Sequence, residues 1–517
     1  MLTLRQTEIQ QAVVSTHQMR EIENRIFAAG MPVAALMEKV GGLVAHRIQT
    51  LYSCVDFRQV GILVGPGHNG GDALVVAREL HFQGYNVAIY CPLTKLKELT
   101  AQHAQYAKNL GIPFIELREL KHCNLLIDGL FGFGLTRSLE PPLSDTVNAI
   151  NQWSQPVVSI DVPSGLHTDT GEVLGVAIRA ERTFCLGLWK LGLLQEQALE
   201  YVGMAELIGL NLPLTDVTAV LGNQPGIQCV TKSMVIAHLP LPRQSVTHKY
   251  KVGHLLLVCG SHRYAGGAIL TGLGARASGA GMLSIAVPES LKPTLTAQLP
   301  DALILGCPEI NGAIARLPDG TELSNFDAIA CGPGLTMDAT AVVKQVLKSE
   351  CPLVLDADGL NILAQLGPVT ALSQRQATTV LTPHLGEFKR LFRDLAEPMN
   401  RVMAVRAAAE QTGAVVLLKG ARTAIAEPQG SAWINPESTP ALARGGSGDV
   451  LTGLLGGVLA QTASQHPGGE FAAVSAAWWH AQAGIRAAQE RTELGVDAFT
   501  LTQFLGPTLK AALQSTS

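Results

Sequence analysis

Residues 443–453 read Ala443-Arg444-Gly445-Gly446-Ser447-Gly448-Asp449-Val450-Leu451-Thr452-Gly453, a run of glycine and serine leading into an apolar helical pattern. At such a helix start the backbone N–H groups face outward, and the positive end of the helix dipole adds to their pull on negative charge. Asp449 falls where it can touch a substrate hydroxyl and accept its proton. An Asp that merely complements the dipole is the plainer reading, but that role does not call for so many glycines in front of it. Around this stretch, short apolar runs at 254–258, 282–287, 329–331, 353–355, 380–381 and 415–418 alternate with helical patterns at 268–280 and from Asp449 and Phe471 onward. Alternating strands and helices predict a parallel sheet covered on both faces.

The N-terminal half predicts a second α/β unit with different motifs. Its first ~55 residues give helices over 18–28 and 32–51, with apolar spacings of three and four and with Gly30 and Pro32 between them. An apolar run at 60–64 then leads into Gly65-Pro66-Gly67-His68-Asn69-Gly70-Gly71-Asp72, and a helical pattern follows at 73–80. This G-x-G-x-x-G suits a phosphate beside a helix N-terminus, although glycine-rich turns also serve packing alone. A dinucleotide dehydrogenase would add an acidic residue about 20 positions on. Tyr90-Cys91-Pro92-Leu93-Thr94-Lys95 stands there and holds no carboxylate.

Further apolar runs at 87–90, 125–127, 157–160 and 182–186 complete this half. Two of them lead into Asp128-Gly129-Leu130-Phe131-Gly132-Phe133-Gly134-Leu135-Thr136-Arg137 and Ser159-Ile160-Asp161-Val162-Pro163-Ser164-Gly165. Strand carboxyl ends form the ligand crevice of open α/β sheets, so Asn69, Asp72, Asp128, Asp161 and Ser164 can converge. Singly, each Asp is as readily a cap or a turn residue. Residues 211–228 are rich in proline, threonine and glycine without sustained periodicity, which puts the domain boundary there. No repeat relates the halves, so two different α/β domains are expected.

Hydrophobic residues at 47%, charged residues at 15% and a net charge of −4 describe a well-buried globular protein, with no electrostatic reason to expect nucleic acid or an anionic membrane. The nine cysteines stand singly, without a C-x-x-C pair, which fits a reducing cytoplasm and gives no zinc or disulfide framework. The start, with Arg5 and Glu8, lacks the basic head and apolar stretch of a signal peptide. No run approaches the roughly 20 apolar residues of a membrane helix. Trp478-Trp479-His480 lies among small apolar residues and reads as core.

In order, G-P-G-x-N-G-G-D, D-x-L-F-G-x-G and S-I-D-V-P-S-G at 65–72, 128–134 and 159–165 resemble the NAD(P)H-hydrate epimerase domain, a Rossmann-like αβα sandwich. The resemblance implies a potassium ion held by Asn69, Asp128 and Ser164. It implies substrate contacts from His68, Asn69, Gly70, Gly71 and Asp72, from Gly132, Phe133, Gly134, Leu135, Thr136, Arg137 and Ser138, and from Asp161, the catalytic carboxylate. The family usually has Asn where His68 stands, Gly where Ala73 stands, and M-E-N-A-G where this chain has Met37-Glu38-Lys39-Val40-Gly41.

The C-terminal G-G-S-G-D resembles the anion hole of the ribokinase-like fold. Gly260-Ser261, Gly266-Gly267-Ala268, Cys331-Gly332-Pro333-Gly334, Asp356-Ala357-Asp358, Leu381-Thr382-Pro383-His384-Leu385-Gly386-Glu387 and Leu418-Lys419-Gly420 follow the order of the ADP- or ATP-dependent NAD(P)H-hydrate dehydratases. This implies hydrate contacts from Ala268, Gly334, His384 and catalytic Asp449. Nucleotide contacts would come from Lys419, Gly420, Ala421, Arg422, Thr423 and Gly448. Asp356 and Asp358 suit either a magnesium-organising role or loop capping.

The expected chain is therefore an epimerase domain at 1–215, a linker at 216–229 and a dehydratase domain at 230–517. Its substrates would be NADHX and NADPHX, with potassium in the first site and Mg²⁺ with ADP, or ATP, in the second; the fused arrangement implies ADP. A cytoplasmic homo-oligomer is expected. A ribokinase-like small-molecule kinase with a non-catalytic N-terminal binding domain, and a non-catalytic nucleotide-binding scaffold, are the alternatives.

Overall fold

The computed structural model describes residues 9–395, 400–463, 465, 466 and 468–514, so the reading of residues 1–8 falls outside it. The chain divides into two units, Met1–Gln228 and Cys229–Ser517. Among the described residues no helix is long and apolar enough to cross a membrane. The nine cysteines are all free thiols.

In the first unit, strands β1 (Gln59–Val64), β2 (Asn86–Tyr90), β3 (Leu125–Gly129), β4 (Val157–Ile160), β5 (Arg182–Leu186) and β6 (Met204–Ile208) form one sheet in the order β2-β1-β3-β4-β5-β6. Every adjacent pair is parallel. Burial on both faces explains why these strands read as continuous apolar runs. Val60, Ile62, Ile127 and Val158 pack into one layer, while Leu63, Leu126 and Val157 pack into the other. The order reverses between β1 and β3, which opens a crevice at their carboxyl ends.

Four helices matter to that crevice: α1 (Thr16–Ala28), α2 (Val33–Leu51), α3 (His68–Phe82) and α4 (Glu98–Asn109). Ser15 starts α1 through a capping box with Gln18. The sequence pattern starts α3 at residue 73, whereas the helix begins at His68 behind Gly67. Residues 68–72 are thus its first turn and not a loop. Gly70 and Gly71 disfavour helix in isolation and hide that turn from the pattern. Packing enforces it: a Cβ on Gly70 would lie 2.0 Å from the Gly65 oxygen, and one on Gly71 2.5 Å from the Met37 sulfur.

The expected linker at 216–229 is corrected. A helix, α5 (Leu214–Leu221), and a strand, β7 (Ile227–Cys229), occupy it. Thr and Val give α5 little propensity of its own. It forms because Val217, Val220 and Leu221 pack with Met19, Ile22 and Ile26 of α1.

The second unit builds β8 (His254–Val258), β9 (Met282–Pro288), β10 (Leu303–Cys307), β11 (Ala328–Cys331), β12 (Leu353–Leu355), β13 (Thr379–Leu381), β14 (Val415–Leu418), β15 (Ala424–Ala426) and β16 (Ala432–Ile434). The sheet order is β10-β9-β8-β11-β12-β13-β14-β15-β16-β7. Strands β10 to β14 of that order are parallel, and β15 and β16 return antiparallel. Here the order reverses between β8 and β11.

Two helices cover the sheet beside that switch point, α6 (Ala265–Ser278) and α7 (Ser447–Thr462). They lie close because glycine faces backbone: a Cβ on Gly453 would come within 1.8 Å of the Thr271 oxygen, and one on Gly274 within 2.2 Å of the Val450 oxygen. Gly453→Ala is therefore expected to push the helices apart and destabilise the second unit by about 1–3 kcal/mol. A lowered urea midpoint for that unit checks this; an unchanged midpoint contradicts it.

Candidate active sites

In the first unit, α1, α2, the start of α3 and the loops after β3, β4 and β5 enclose a pocket of about 430 Å³. His68, Asn69, Asp72, Gly132, Phe133, Gly134, Leu135 and Asp161 line it, so the structure brings these residues to one cavity. Gly70 and Gly71 instead serve the packing described above. Thr136, Arg137 and Ser138 lie outside the pocket wall.

Asp161 follows β4 at φ +71°, a conformation unusual for a residue with a side chain. Its carboxylate is held from two sides. One oxygen lies 2.7 Å from Lys190 Nζ, and the other accepts the Phe133 N–H at 2.8 Å. Lys190 is buried, also bonds the Leu186 carbonyl, and sits 5.7 Å from the Phe133 ring centre. Burial alone would drive this ammonium's pKa down; Asp161, with Cys185 and Glu23, outweighs it and holds the group charged. Asp72 is partly buried, and desolvation with the nearby charges of Asp161 and Glu23 pushes its carboxyl well up. His68 is pushed down by burial and by Lys97, so its imidazole is neutral at pH 7.

Asp128 and Ser164 lie beneath the pocket. Asp128 accepts bonds from the Ser159 hydroxyl at 2.8 Å, the Ser164 hydroxyl at 2.6 Å, the Ser164 N–H at 2.9 Å and the Leu130 N–H at 3.2 Å. Burial raises its pKa against the pull of those donors. Ala73, where the resembled family has Gly, is fully buried, and a Cβ on Gly129 would lie 2.3 Å from its methyl. The extra methyl is accommodated because residue 129 is glycine.

In the second unit, Gly446 adopts φ +88° and starts α7. Asp449 in the first turn is pushed up to about 7, mainly by burial and by Asp356, with Lys419 opposing. Across the crevice Lys419, at the end of β14, pairs with Asp356 at 2.7 Å. Burial would lower Lys419; Asp356 and Glu387 more than offset it. A Cβ on Gly448 would lie 3.4 Å from Lys419 Nζ, so the ammonium and the helix start converge on one spot suited to an anion. The residues 420–423 make the turn from β14 to β15, closed by Thr423 Oγ1 donating to the Gly420 oxygen at 3.1 Å.

Some sequence-based assignments shift. Asp358 accepts from the Thr336 N–H at 2.9 Å, which is loop capping. Asp356 is taken up by Lys419 and by the Thr452 hydroxyl at 2.6 Å. His384 caps the helix Leu385–Leu391 in a capping box with Glu387, its Nδ1 accepting the Gly386 N–H at 2.9 Å and its Nε2 lying 3.5 Å from a Glu387 carboxylate oxygen. Ala268 is fully buried in the core. Gly334 keeps φ +67° close to Tyr264.

Trp478 and Trp479 are core as read, but His480 does more. Its Nε2 lies 2.9 Å from the Ser447 oxygen, and burial drives its pKa down to about 4. Glu23, Arg20, Lys97 and Lys190 also line the first pocket and carried no local motif. An isolated lysine after an apolar strand was their only trace in the sequence.

Crevices of this kind, each at a switch point and each lined by ionisable groups, define α/β enzymes with two separate sites on one chain. Family models agree unit by unit: the NAD(P)H-hydrate dehydratase model matches residues 255–506, and the YjeF-related protein N-terminus model matches residues 33–192. A bifunctional NAD(P)H-hydrate repair enzyme of Synechocystis sp. is 54% identical over 498 residues, covering 96% of this chain and 94% of the relative. One of Thermosynechococcus vestitus is 53% identical over 505 residues, covering 97% and 98%. A solved ADP/ATP-dependent NAD(P)H-hydrate dehydratase from Bacillus subtilis, co-crystallised with ATP/Mg²⁺, is 33% identical with a TM-score of 0.46, covering 55% of this chain and 98% of that one. The chain belongs to the family of bifunctional NAD(P)H-hydrate repair enzymes. A small-molecule kinase with an inert N-terminal half is not favoured, since both halves match.

Proposed function

We propose that the first unit interconverts the R and S hydrates of NADH and NADPH at C6, and that the second dehydrates the S hydrate at the expense of ADP. The observation that carries the reading is Asp449 in the first turn of α7, behind the Gly445–Gly448 backbone and close to Lys419. Transfer of a phosphoryl group to the C6 hydroxyl turns a poor leaving group into a good one, and elimination then restores the nicotinamide double bond. Asp449 accepts the hydroxyl proton, while the glycine N–H groups and Lys419 steady the phosphoryl group. In the first unit Asp161 meets the C6 hydroxyl. The test is a mixture of R and S hydrates with ADP or ATP, followed by the absorbance of restored NADH. Full conversion supports the reading; conversion of neither epimer with either nucleotide sinks it.

Magnesium would enter with the nucleotide. Among the described residues no group of three or more His, Cys, Asp or Glu could hold a metal ion, and Asp356 and Asp358 are already engaged. A cation carried on phosphates with its own waters suits such a crevice.

Potassium fits the donor set of the first unit. Asn69, Asp128 and Ser164 offer oxygens with a single carboxylate, too little charge for Mg²⁺ and the wrong chemistry for zinc. The Asn69 amide nitrogen is buried without a hydrogen-bond partner among the described residues, a donor suited to an acceptor on the substrate, which leaves its oxygen as the atom that could face a cation. When bound, the ion would tie the loops together and offset carboxylate charge near an anionic substrate. Asp128→Ala is expected to weaken hydrate binding in the first unit and remove any potassium dependence of epimerisation. Epimerisation indifferent to exchanging potassium for a bulky organic cation contradicts the assignment.

A further inference from the structure

The first pocket carries three carboxyl groups, and their surroundings differ. Asp161 has both oxygens engaged, by Lys190 on one and the Phe133 N–H on the other. Both contacts come from the fold itself, so the Asp161 carboxylate is fixed in place rather than free to turn. Asp72, partly buried in the pocket wall, has its carboxyl pushed well up by desolvation and by the charges of Asp161 and Glu23. Glu23 differs from both. It projects from α1 into the pocket wall, half buried, and makes no hydrogen bond or ion pair among the described residues. The charged groups that face it are Lys190 and Asp161 across the pocket, Asp72 from α3 and Arg20 one turn away on its own helix. His68 and Lys97 line the same pocket. Helix α1 lies before the 33–192 span matched by the N-terminal family model.

We propose that Glu23 is the catalytic acid and base of the first unit, carrying the proton to and from the C6 hydroxyl, while Asp161, fixed by Lys190, holds that hydroxyl in place. The inference rests on the epimerase reading and names the group that moves its proton. Glu23 as carboxylic acid gives its proton to the hydroxyl oxygen. The C6–O bond breaks, its electron pair leaving with water, and the ring N1 lone pair forms the N1=C6 double bond. Water then adds to the opposite face of C6 and returns one proton to the Glu23 carboxylate. Nothing is oxidised or reduced, and the sole net change is the configuration at C6. The Asp161 carboxylate offsets the positive charge on the ring between the two steps.

Burial lifts the Glu23 carboxyl to about 7, with Asp161 adding to the rise and Lys190 and Arg20 opposing it. The acid is present below that value and lost above it, so epimerisation should slow as pH rises through about 7.

The test follows R/S interconversion by the full chain, without nucleotide, from about pH 5.5 to 9 with the spontaneous rate subtracted. Glu23→Gln should lower kcat by about 10²-fold or more and abolish the alkaline fall. It should leave ADP-driven dehydration of pure S hydrate at the parent rate. Glu23→Asp, which keeps the acid on a shorter stem, should retain the alkaline fall. A Glu23→Gln chain within threefold of the parent, or a Glu23→Asp profile without the fall, overturns the proposal. A parent chain that does not interconvert the epimers at all overturns the epimerase reading and this proposal with it.

Discussion

Asp449→Asn is expected to lower nucleotide-driven dehydration of the S hydrate by about 10² to 10⁴-fold, roughly 3 to 5 kcal/mol of barrier. Asn keeps the shape of the first turn of α7 but cannot take the hydroxyl proton. Interconversion of the epimers should continue at the parent rate, because its groups belong to the other unit. The parent's pH dependence follows from the environment of Asp449, whose carboxyl is pushed up to about 7, chiefly by burial. The ionised form is the base, so dehydration should climb as pH rises through about 7 and fall away below it. A variant that still turned over S hydrate at more than about a tenth of the parent rate would remove Asp449 from the mechanism.

Asp161→Asn is expected to stop epimerisation alone, by about 10² to 10⁴-fold. With pure S hydrate and ADP the variant should run normally. With a racemic mixture it should consume the S half and then stall, apart from slow spontaneous inversion. The substitution also strips the partner from Lys190, whose side chain is 1% exposed. Breaking a buried pair from one side costs about 3–5 kcal/mol unless the ammonium sheds its proton, so the first unit should also become less stable. Protease resistance of that unit at the assay temperature separates lost chemistry from lost structure. If a folded variant consumed both epimers at the parent rate, Asp161 would be a turn residue and no more.

The two variants and Glu23→Gln together divide the chain by chemistry. Dehydration and epimerisation should show opposite pH trends around neutrality, one needing an ionised carboxylate and the other a protonated one. Both trends arise from the same cause: carboxyl groups drawn out of water beside other charges.

Much of this was legible in the sequence because the signals are local. Strands buried on both faces must be apolar throughout, so β1, β3, β4, β5 and most of β8 to β14 stand out as short runs. Gly65, Gly70, Gly71 and Gly446 mark backbone that a side chain would crowd or strain, and strand-end carboxylates follow the topology of open α/β sheets. The two crevices, Asp161 and Asp449 were located on that basis.

What the tertiary structure decided concerns residues whose meaning lies in partners distant along the chain. Helix α5 has little propensity of its own and exists through its packing on α1. His384 is a helix cap, and His480 braces Ser447 from a helix that reads as featureless core. Nothing near Glu23 or Lys190 in the sequence marks them out. Their carboxyl and ammonium acquire their character only when folding removes water and sets them around Asp161. A sequence reports spacing along one strand or helix, whereas the free energy of a charge depends on everything within a few ångströms in space.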